Sequence, residues 1–248
     1  MINNAAQVLS QPKIFREAIH QSGILVIDKP KGMTSMDVIR EIRRIAYVKR
    51  LGHGRTLDPF ATGVLPILVN DATKLSARIM DSVKEYEGVL FLGQAYDTQD
   101  MTGKALYEER NIDPSLSLDD VNAAAQRFVG DILQRPPAYS AVKRQGRPLY
   151  DYARAGETIE VEPRPVKVER FRIEERLSER EFTFSVRCAK GTYVRTLVHD
   201  LGESLGFGAV TKELKRTQTG SFHIDEAVQL STLRFISDIK NHLRAING

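Results

Sequence analysis

The residues most able to do chemistry lie in one stretch, residues 52–66, which reads GHGRTLDPFATGVLP. Asp58 comes directly before Pro59, and because a residue before proline is disfavoured in the helical region, its carboxylate is expected on an irregular loop. Glycine and proline residues allow close backbone approach and stiffen the stretch. The apolar residues 67–69 are expected to follow as a short buried strand. The side chains that this predicted rigid loop holds near one another are His53, Arg55, Thr56 and Asp58.

A glycine-rich loop that contains an Asp has two other common interpretations, phosphate binding and a structural turn. A glycine-rich loop suggests phosphate binding, but a P-loop requires Lys followed by Ser or Thr after its last glycine, and the stretch has neither there. An Asp in a loop also commonly forms a structural turn, in which Asp58 would bond to Thr56 or to the backbone. From the residues alone, both a structural turn and a catalytic carboxylate therefore remain open for Asp58.

A second candidate for chemistry is Arg195, in the first turn of a predicted helix that follows Tyr193 and ends before Gly206. A positive charge near a helix N-terminus is unfavourable for the helix dipole, which indicates a specific acidic partner. Asp58 is the obvious candidate for that partner. A purely structural ion pair is the alternative.

Composition limits the classes of protein that this chain can be. Its 248 residues and 42% hydrophobic content suffice for one main core, and a net charge of +4 with a pI near 9.1 permits a polyanionic partner without requiring one. The lone Cys188 is expected to be a buried thiol in a reducing compartment. No apolar run reaches the roughly 18 residues of a membrane span, and the N-terminus lacks a signal-peptide pattern. We expect a soluble cytoplasmic protein.

Metal chemistry is not expected, because the five histidines are scattered and no His-x-x-x-His or Cys-x-x-Cys spacing occurs. Asp97 and Asp100 could form a metal-binding or acid–base pair. The surrounding sequence QAYDTQDMTGK has the residue types of a hairpin turn, so we interpret both carboxylates as structural.

The positioning elements follow from apolar periodicity. Predicted strands cover residues 23–28, 67–69, 85–93, 164–175 and 181–188. Predicted helices begin after Thr34 or Ser35, near Ala72 and near Val194, and cover residues 117–129, with one or two more in residues 224–248. The first helix has a basic face (Arg40, Arg43, Arg44, with Lys49 and Arg50 beyond it), which fits a solvated surface and an RNA-facing surface equally.

Residues 131–156 differ in character, because basic side chains alternate with tyrosines. The residues concerned are Arg135, Lys143, Arg144, Arg147 and Arg154, with Tyr139, Tyr150 and Tyr152. Basic groups neutralise phosphates and tyrosines stack on exposed bases, which is how proteins hold irregular RNA. By composition alone, an ordinary polar loop is the alternative.

Three of these stretches resemble the TruB family of tRNA pseudouridine synthases. Residues 52–66 match the family signature that carries the catalytic aspartate, except at Gly54 and Arg55, where the family more often has Thr and then Gly. Residues 136–150 (PPAYSAVKRQGRPLY) are similar to the insertion with which the family enters the T-arm of tRNA, and residues 190–195 (KGTYVR) to its second signature. The resemblance covers about residues 23–230.

The resemblance implies roles for individual residues. It makes Asp58 the catalytic nucleophile or base and Arg195 the residue that keeps it ionised. Tyr86 would stack on the target uracil and handle its C5 proton.

Further roles follow from the same resemblance for the residues around the base. Tyr193 and Leu214 would close the uracil pocket, and His53 would support the vacated T-loop. Lys29 would contribute to substrate binding from a Lys-Pro turn that packs near the catalytic loop. Lys215 and Arg216, beside Leu214, would suit phosphate contact.

At the level of the whole chain, the resemblance implies an α+β pseudouridine synthase fold with a mixed, mainly antiparallel sheet, flanking helices and an RNA-binding insertion at about 131–157. The implied organisation is an N-terminal extension (1–22), a catalytic domain (23–230) and a C-terminal helical segment (231–248) without the family's usual PUA domain. The expected reaction converts uridine 55 of the tRNA T-loop to pseudouridine, needs no cofactor, metal or guide RNA, and is carried out by a monomer. The rival classes are a guide-RNA-dependent synthase and a non-catalytic RNA-binding protein.

Overall fold

The computed structural model describes residues 17–246, and a mixed sheet of 11 strands forms its centre. The strands are β1 (Ala18–Ile19), β2 (Gly23–Lys29), β3 (Tyr47–Val48), β4 (Leu51–His53), β5 (Thr62–Val69), β6 (Lys84–Leu92), β7 (Gly130–Gln134), β8 (Lys143–Arg144), β9 (Arg147–Pro148), β10 (Arg164–Arg176), β11 (Glu181–Cys188), β12 (Ala209–Thr219), β13 (Phe222–His223), β14 (Val228–Gln229) and β15 (Arg244–Ala245). The helices are α1 (Ser35–Ile45), α2 (Ser76–Asp81), α3 (Leu118–Gln126), α4 (Leu149–Arg154), α5 (Val194–Ser204) and α6 (Ile236–His242).

The main sheet has the order β14-β2-β5-β12-β6-β11-β10-β7, with β15 on β2, β4 on β5 and β13 on β12. Within it, β5 pairs with β12 and β2 with β14 in parallel, and the other described pairs are antiparallel. The predicted mixed, mainly antiparallel sheet with flanking helices is therefore confirmed.

Two apolar cores on the sheet explain the patterning of the strands. One core packs α3 and α5 against β6, β10, β11 and β12. The other packs α1 and α6 against β2 and β5, whose opposite faces are also covered by Ala72 and Ile79. Because β2 and β5 are buried on both faces, they read as continuous apolar runs without alternation.

Helix α1 begins where the sequence predicts it. The Thr34 hydroxyl accepts a hydrogen bond from the backbone N–H of Asp37 (3.1 Å), and the Asp37 carboxylate accepts one from the backbone N–H of Thr34 (2.9 Å). This reciprocal capping box fixes the helix start, and Val38, Ile39 and Ile42 then face the core. Helix α3 begins with the same device, formed by Ser117 and Asp120.

Three expectations about elements need correction. The strand predicted at 67–69 begins earlier, at Thr62, because Pro66 lies inside the strand instead of ending the loop. The helix predicted from Ala72 is a 3₁₀ turn (Asn70–Leu75) followed by the short helix α2. The segment 224–248, predicted as helices, contains α6 but also β14 and β15, which pair with β2 in the main sheet.

Two further points concern the chain ends and membranes. Residues 1–16 of the predicted N-terminal extension lie outside the described residues. Among residues 17–246, none of the helices has the length and apolar character that a membrane crossing requires.

Candidate active site

Asp58 lies on the loop between β4 and β5, as the sequence predicts. The Ser35 hydroxyl at the start of α1 accepts a hydrogen bond from the backbone N–H of Leu57 (2.9 Å) and donates one to the Leu57 carbonyl (3.3 Å). On the other side of the loop, the Gly54 backbone N–H donates to the Pro66 carbonyl (2.9 Å). These contacts fix the backbone on both sides of the aspartate.

Arg216 supports the same loop from β12, although the sequence suggested a phosphate contact for it. Its side chain is fully buried and donates hydrogen bonds to three carbonyl groups, those of Val64 (2.8 Å), Thr56 (3.3 Å) and Arg55 (3.4 Å). The expectation of a phosphate contact is wrong for Arg216, because its guanidinium group is enclosed in protein. The adjacent Lys215 is exposed.

Gly63 explains why β5 and β12 can approach each other at this point. Its φ is +103°, and a Cβ atom placed on it would lie 2.2 Å from the carbonyl oxygen of Arg216. Both the positive φ and the close approach require glycine. A glycine of the signature thus allows β12 to bring Arg216 against the aspartate loop.

Lys29 supports the loop from β2 and does not line the cavity described below. Its ammonium group donates to the carbonyls of Pro30 (2.8 Å), Met33 (2.8 Å) and Pro59 (3.3 Å). Burial lowers the pKa of Lys29 to about 8, against an opposing effect of the Asp58 charge. The side chain expected near the substrate is therefore a buried connection between the Lys-Pro turn and the aspartate loop.

Arg195, in the first turn of α5, forms the predicted ion pair with Asp58. Its Nε lies 2.8 Å from Asp58 Oδ2, and its side chain is 5% exposed whereas that of Asp58 is 38% exposed. Its other nitrogens donate to the carbonyls of Thr98 (2.5 Å) and Tyr139 (3.2 Å). One buried side chain thus connects the aspartate loop, the segment after β6 and the insertion.

Asp100 is a partner of Arg195 that the sequence interpretation missed. Its Oδ2 lies 3.5 Å from Arg195 Nη1, and its other oxygen accepts hydrogen bonds from the hydroxyls of Thr98 and Thr102. The hairpin turn predicted here is present, since the backbone of Asp97 donates to Lys104 (3.0 Å). The sequence offered no signal that one of the two turn carboxylates would reach Arg195.

Asp58 and Arg195 line a cavity of about 620 Å³, which lies in the usual size range of ligand sites. The remaining lining residues come from the aspartate loop, α2, the hairpin, the insertion and the start of α5. Among them are His53, Arg55, Met80, Thr102, Tyr139, Tyr150, Arg154 and Tyr193. Aromatic rings, the carboxylates of Asp58 and Asp100, and basic groups therefore face the same space.

His53 stands at the end of β4 and is half-buried in this cavity wall. Burial, together with the nearby positive charge of Arg216, lowers the pKa of His53 below its usual value. Its ring is thus neutral at pH 7.

Tyr86 and Leu214, two predicted substrate contacts, do not line this cavity. Tyr86 lies on β6 directly opposite Arg216 of β12, is half-buried, and has its pKa raised by burial. Leu214 is 6% exposed, packs in the core with Leu57 and Phe60, and borders a separate cavity. The structure therefore brings His53, Tyr193, Asp58 and Arg195 together and leaves Tyr86 and Leu214 outside the cavity.

The insertion begins at the sheet and ends at the cavity. The side-chain amide of Gln134, the last residue of β7, pairs with the backbone N–H (2.8 Å) and carbonyl (3.1 Å) of Tyr193. Tyr152, expected to stack on RNA, is buried, and the partly exposed Arg147 lies over its ring at 4.2 Å. The basic residues of this segment that remain exposed are Arg135, Lys143, Arg144 and Arg154.

The free thiol and potential metal ligands are the remaining candidates for reactivity. Cys188 is buried, and burial raises the pKa of its thiol to about 11, so it is inert as the sequence predicts. In the part of the chain that the structure describes, no group of three His, Cys, Asp or Glu residues could hold a metal ion.

The architecture defines the class of protein. Over 86% of its length, the chain matches a protein in the crystal structure of a Cbf5–Nop10–Gar1 complex, with a TM-score of 0.67 and 32% sequence identity. Over 86% of its length, the chain also matches a protein in the structure of an H/ACA RNP bound to a substrate RNA containing 2′-deoxyuridine, with a TM-score of 0.63 and 28% identity. The chain covers 54% and 52% of these proteins, so it spans about half their length. The fold is that of the pseudouridine synthases.

Sequence relatives identify the family within that class. Residues 43–194 match the N-terminal domain of the TruB family of pseudouridylate synthases, and residues 195–245 match the tRNA pseudouridylate synthase B C-terminal domain. The tRNA pseudouridine synthase B of Pseudomonas aeruginosa is 45% identical over 227 residues, which cover 91% of this chain and 72% of the relative. That of Geobacter sulfurreducens is 42% identical over 221 residues, with coverages of 88% and 71%. The chain belongs to the TruB family of pseudouridine synthases, which are isomerases.

Proposed function

We propose that the chain isomerises uridine to pseudouridine at position 55, in the T-loop of tRNA, without a guide RNA. The observation that carries the proposal is the pair of Asp58 and Arg195 in an aromatic cavity beside the basic insertion. The relatives named tRNA pseudouridine synthase B support tRNA as the substrate.

The proposed reaction rearranges atoms within one nucleotide. The N1–C1′ bond breaks, the base turns, C5 bonds to C1′, the proton on C5 is released to a base, and N1 takes up a proton. Asp58 acts on the ribose, either by adding to C1′ or by removing a sugar proton. In both alternatives the aspartate must be ionised, and the buried guanidinium of Arg195 at 2.8 Å provides the opposite charge that favours this form.

The fixed orientation of Asp58 follows from the contacts of Arg195. Because Arg195 is also held by the carbonyls of Thr98 and Tyr139, it presents its Nε to the aspartate in one geometry. One oxygen of Asp58 is thereby engaged, and the partly exposed carboxylate can act on a substrate in the cavity.

A uridine stacked inside a folded RNA loop cannot reach a carboxylate in such a cavity. We therefore propose that the nucleotide is flipped out, at a cost of a few kcal/mol that the protein–RNA contacts offset. Tyr139, Tyr150 and Tyr193 line the cavity and offer stacking surfaces for the flipped base. His53, neutral in the wall, would support the RNA loop that the base has left.

Tyr86 keeps its proposed role as the ring that contacts the uracil, although it does not line the cavity in this state. Its phenol stays protonated because burial raises its pKa, against an opposing effect of the Arg216 charge. Leu214 would act through the packing of the core, and Lys29 through its support of the aspartate loop.

The test is to incubate the purified protein with unmodified tRNA transcript, without guide RNA or metal, and to map pseudouridine at single-nucleotide resolution. We expect one product, at position 55, and none above background with Asp58→Asn, because the amide can neither attack nor accept a proton. Asp119→Asn is the matched control, since Asp119 is exposed on α3, and this variant should react at the wild-type rate.

The outcomes separate the rival functions. An Asp58→Asn variant as active as the wild type would contradict the role of Asp58. Tight tRNA binding without any product would favour a non-catalytic RNA-binding protein. The likeness to proteins of H/ACA complexes makes guide dependence the second candidate, and activity that appears only after a guide RNA is added would establish it.

A further inference from the structure

Arg55 lies at the position where this chain departs from the family signature, and its side chain lines the Asp58 cavity. It is half-buried, and no carboxylate lies within 4 Å of its guanidinium among residues 17–246. Arg195, another arginine of the cavity lining, uses its nitrogens on Asp58, Asp100 and two backbone carbonyls. Arg55 is therefore a cation in the cavity wall that the protein leaves without an acidic partner.

The backbone accommodates the pair Gly54–Arg55 without strain. A Cβ atom at Gly54 would lie 2.5 Å from Cγ2 of Ile79, so this chain needs glycine there. Arg55 does not have a positive φ, so it requires no glycine. The departure therefore adds a long cationic side chain to the loop without requiring a left-handed backbone at Arg55.

Two buried basic side chains lie near Arg55, whose cavity also contains the carboxylates of Asp58 and Asp100. The charge of Arg55 acts on Lys84, and Arg216 donates a hydrogen bond to the Arg55 carbonyl (3.4 Å). Both Lys84 and Arg216 are buried. Lys84 donates to the carbonyls of Ile79, Met80 and Ser82, and Arg216 to carbonyls of the aspartate loop. Neither forms an ion pair within 4 Å in the described part of the chain, so both add positive charge near Arg55, which favours an anion there.

We propose that Arg55 binds a backbone phosphate of the RNA next to the flipped nucleotide. The inference rests on the proposed function for the identity of the RNA. A guanidinium group suits this task because its planar donors match two phosphate oxygens at once.

The experiment measures the dissociation constant of unmodified tRNA transcript over a series of salt concentrations. The proteins compared are the wild type, Arg55→Gln, Arg55→Lys and Arg172→Gln. Arg172 is the matched control, because it is an exposed arginine on β10 outside the cavity. A lost phosphate contact reduces the slope of log K against log salt by about 0.7–0.9.

For Arg55→Gln we expect that reduction in slope, with affinity about tenfold lower at low salt. Arg55→Lys should keep the slope, because it keeps the charge. It should lose part of the affinity, because lysine cannot form the bidentate contact. Arg172→Gln should match the wild type. A slope for Arg55→Gln equal to that of the wild type, or the same loss with Arg172→Gln, would overturn the proposal.

The outcome can be told apart from failure of the proposed function. Wild-type protein that binds tRNA but makes no pseudouridine, together with a reduced slope for Arg55→Gln, would leave the phosphate contact standing and reject the enzyme assignment. If the wild-type protein modifies position 55 but Arg55→Gln keeps the full salt slope, the enzyme assignment stands and the phosphate contact is rejected.

Discussion

At the scale of single residues, Arg195 combines the two requirements of the site, charge and position. Its nearly complete burial would be costly for an unpaired cation, but its donors are used on a carboxylate and two carbonyls. Asp58 keeps more than a third of its side-chain surface exposed. The pair therefore has one fixed, buried member and one member that faces the cavity.

Arg195→Lys tests whether geometry matters beyond charge. A lysine keeps the positive charge but cannot bond to Asp58, Thr98 and Tyr139 together. Since a hydrogen bond to a charged group contributes about 1.5–3 kcal/mol, we expect pseudouridine formation to fall by about 10–100-fold. Single-turnover rates on tRNA transcript would measure this, with the exposed Arg172→Lys as control. A wild-type rate for Arg195→Lys would show that a point charge is enough.

At the scale of elements, three buried polar side chains hold the aspartate loop from three directions. Lys29 reaches it from β2, Ser35 from α1 and Arg216 from β12. All three bond to backbone groups of the loop, which have few partners of their own because the loop is irregular. The loop is thus fixed by the sheet and a helix in addition to its own hydrogen bonds.

Arg216→Met tests this support. The substitution keeps a long apolar side chain but leaves the carbonyls of Val64, Thr56 and Arg55 without their donor. Because a buried unsatisfied acceptor costs about 1–3 kcal/mol, we expect the free energy of unfolding to fall by about 2–4 kcal/mol. Urea unfolding would measure it.

Lys215→Met is the control, since Lys215 is the next residue on β12 and is exposed. Its effect should stay within about 0.5 kcal/mol. Equal effects of the two substitutions would mean that the buried contacts of Arg216 add nothing to stability.

At the scale of the whole molecule, two exposed basic surfaces are candidates for binding RNA. The first, on the insertion, comprises Arg135, Lys143, Arg144 and Arg154. The second, on α1 and just after it, comprises Arg40, Arg43, Arg44 and Lys49. On α1, Arg40 is paired with Asp37 and Arg44 with Glu41, whereas Arg154 lies over the ring of Tyr150 in the cavity wall.

Replacing all four residues of one surface by Gln tests which surface binds RNA. We expect the insertion variant to lose about 3 units of salt slope in tRNA binding, at about 0.7–0.9 per phosphate contact. The α1 variant should bind within about twofold of the wild type, because its charges are already balanced in part by neighbouring acids. A larger loss with the α1 variant would reassign the RNA-binding surface.

The sequence alone determined much of the site. The turn-forming residues around Asp58 specify an irregular loop, and the capping pattern at Thr34 specifies the start of α1. Apolar periodicity located β10, β11 and α5 within a few residues. These features are local, because each depends on the conformational preferences of a few consecutive residues.

Only the tertiary structure decided which polar side chains point inward. Lys215 and Arg216 are neighbours of similar chemistry, yet one is exposed and the other fully buried, because side chains alternate across a strand and the pairing register selects the face. Arg195 and Asp58 are 137 positions apart, and Asp100 reaches the same guanidinium from a hairpin. Such contacts depend on how β5, β12 and α5 pack together, which no local pattern encodes.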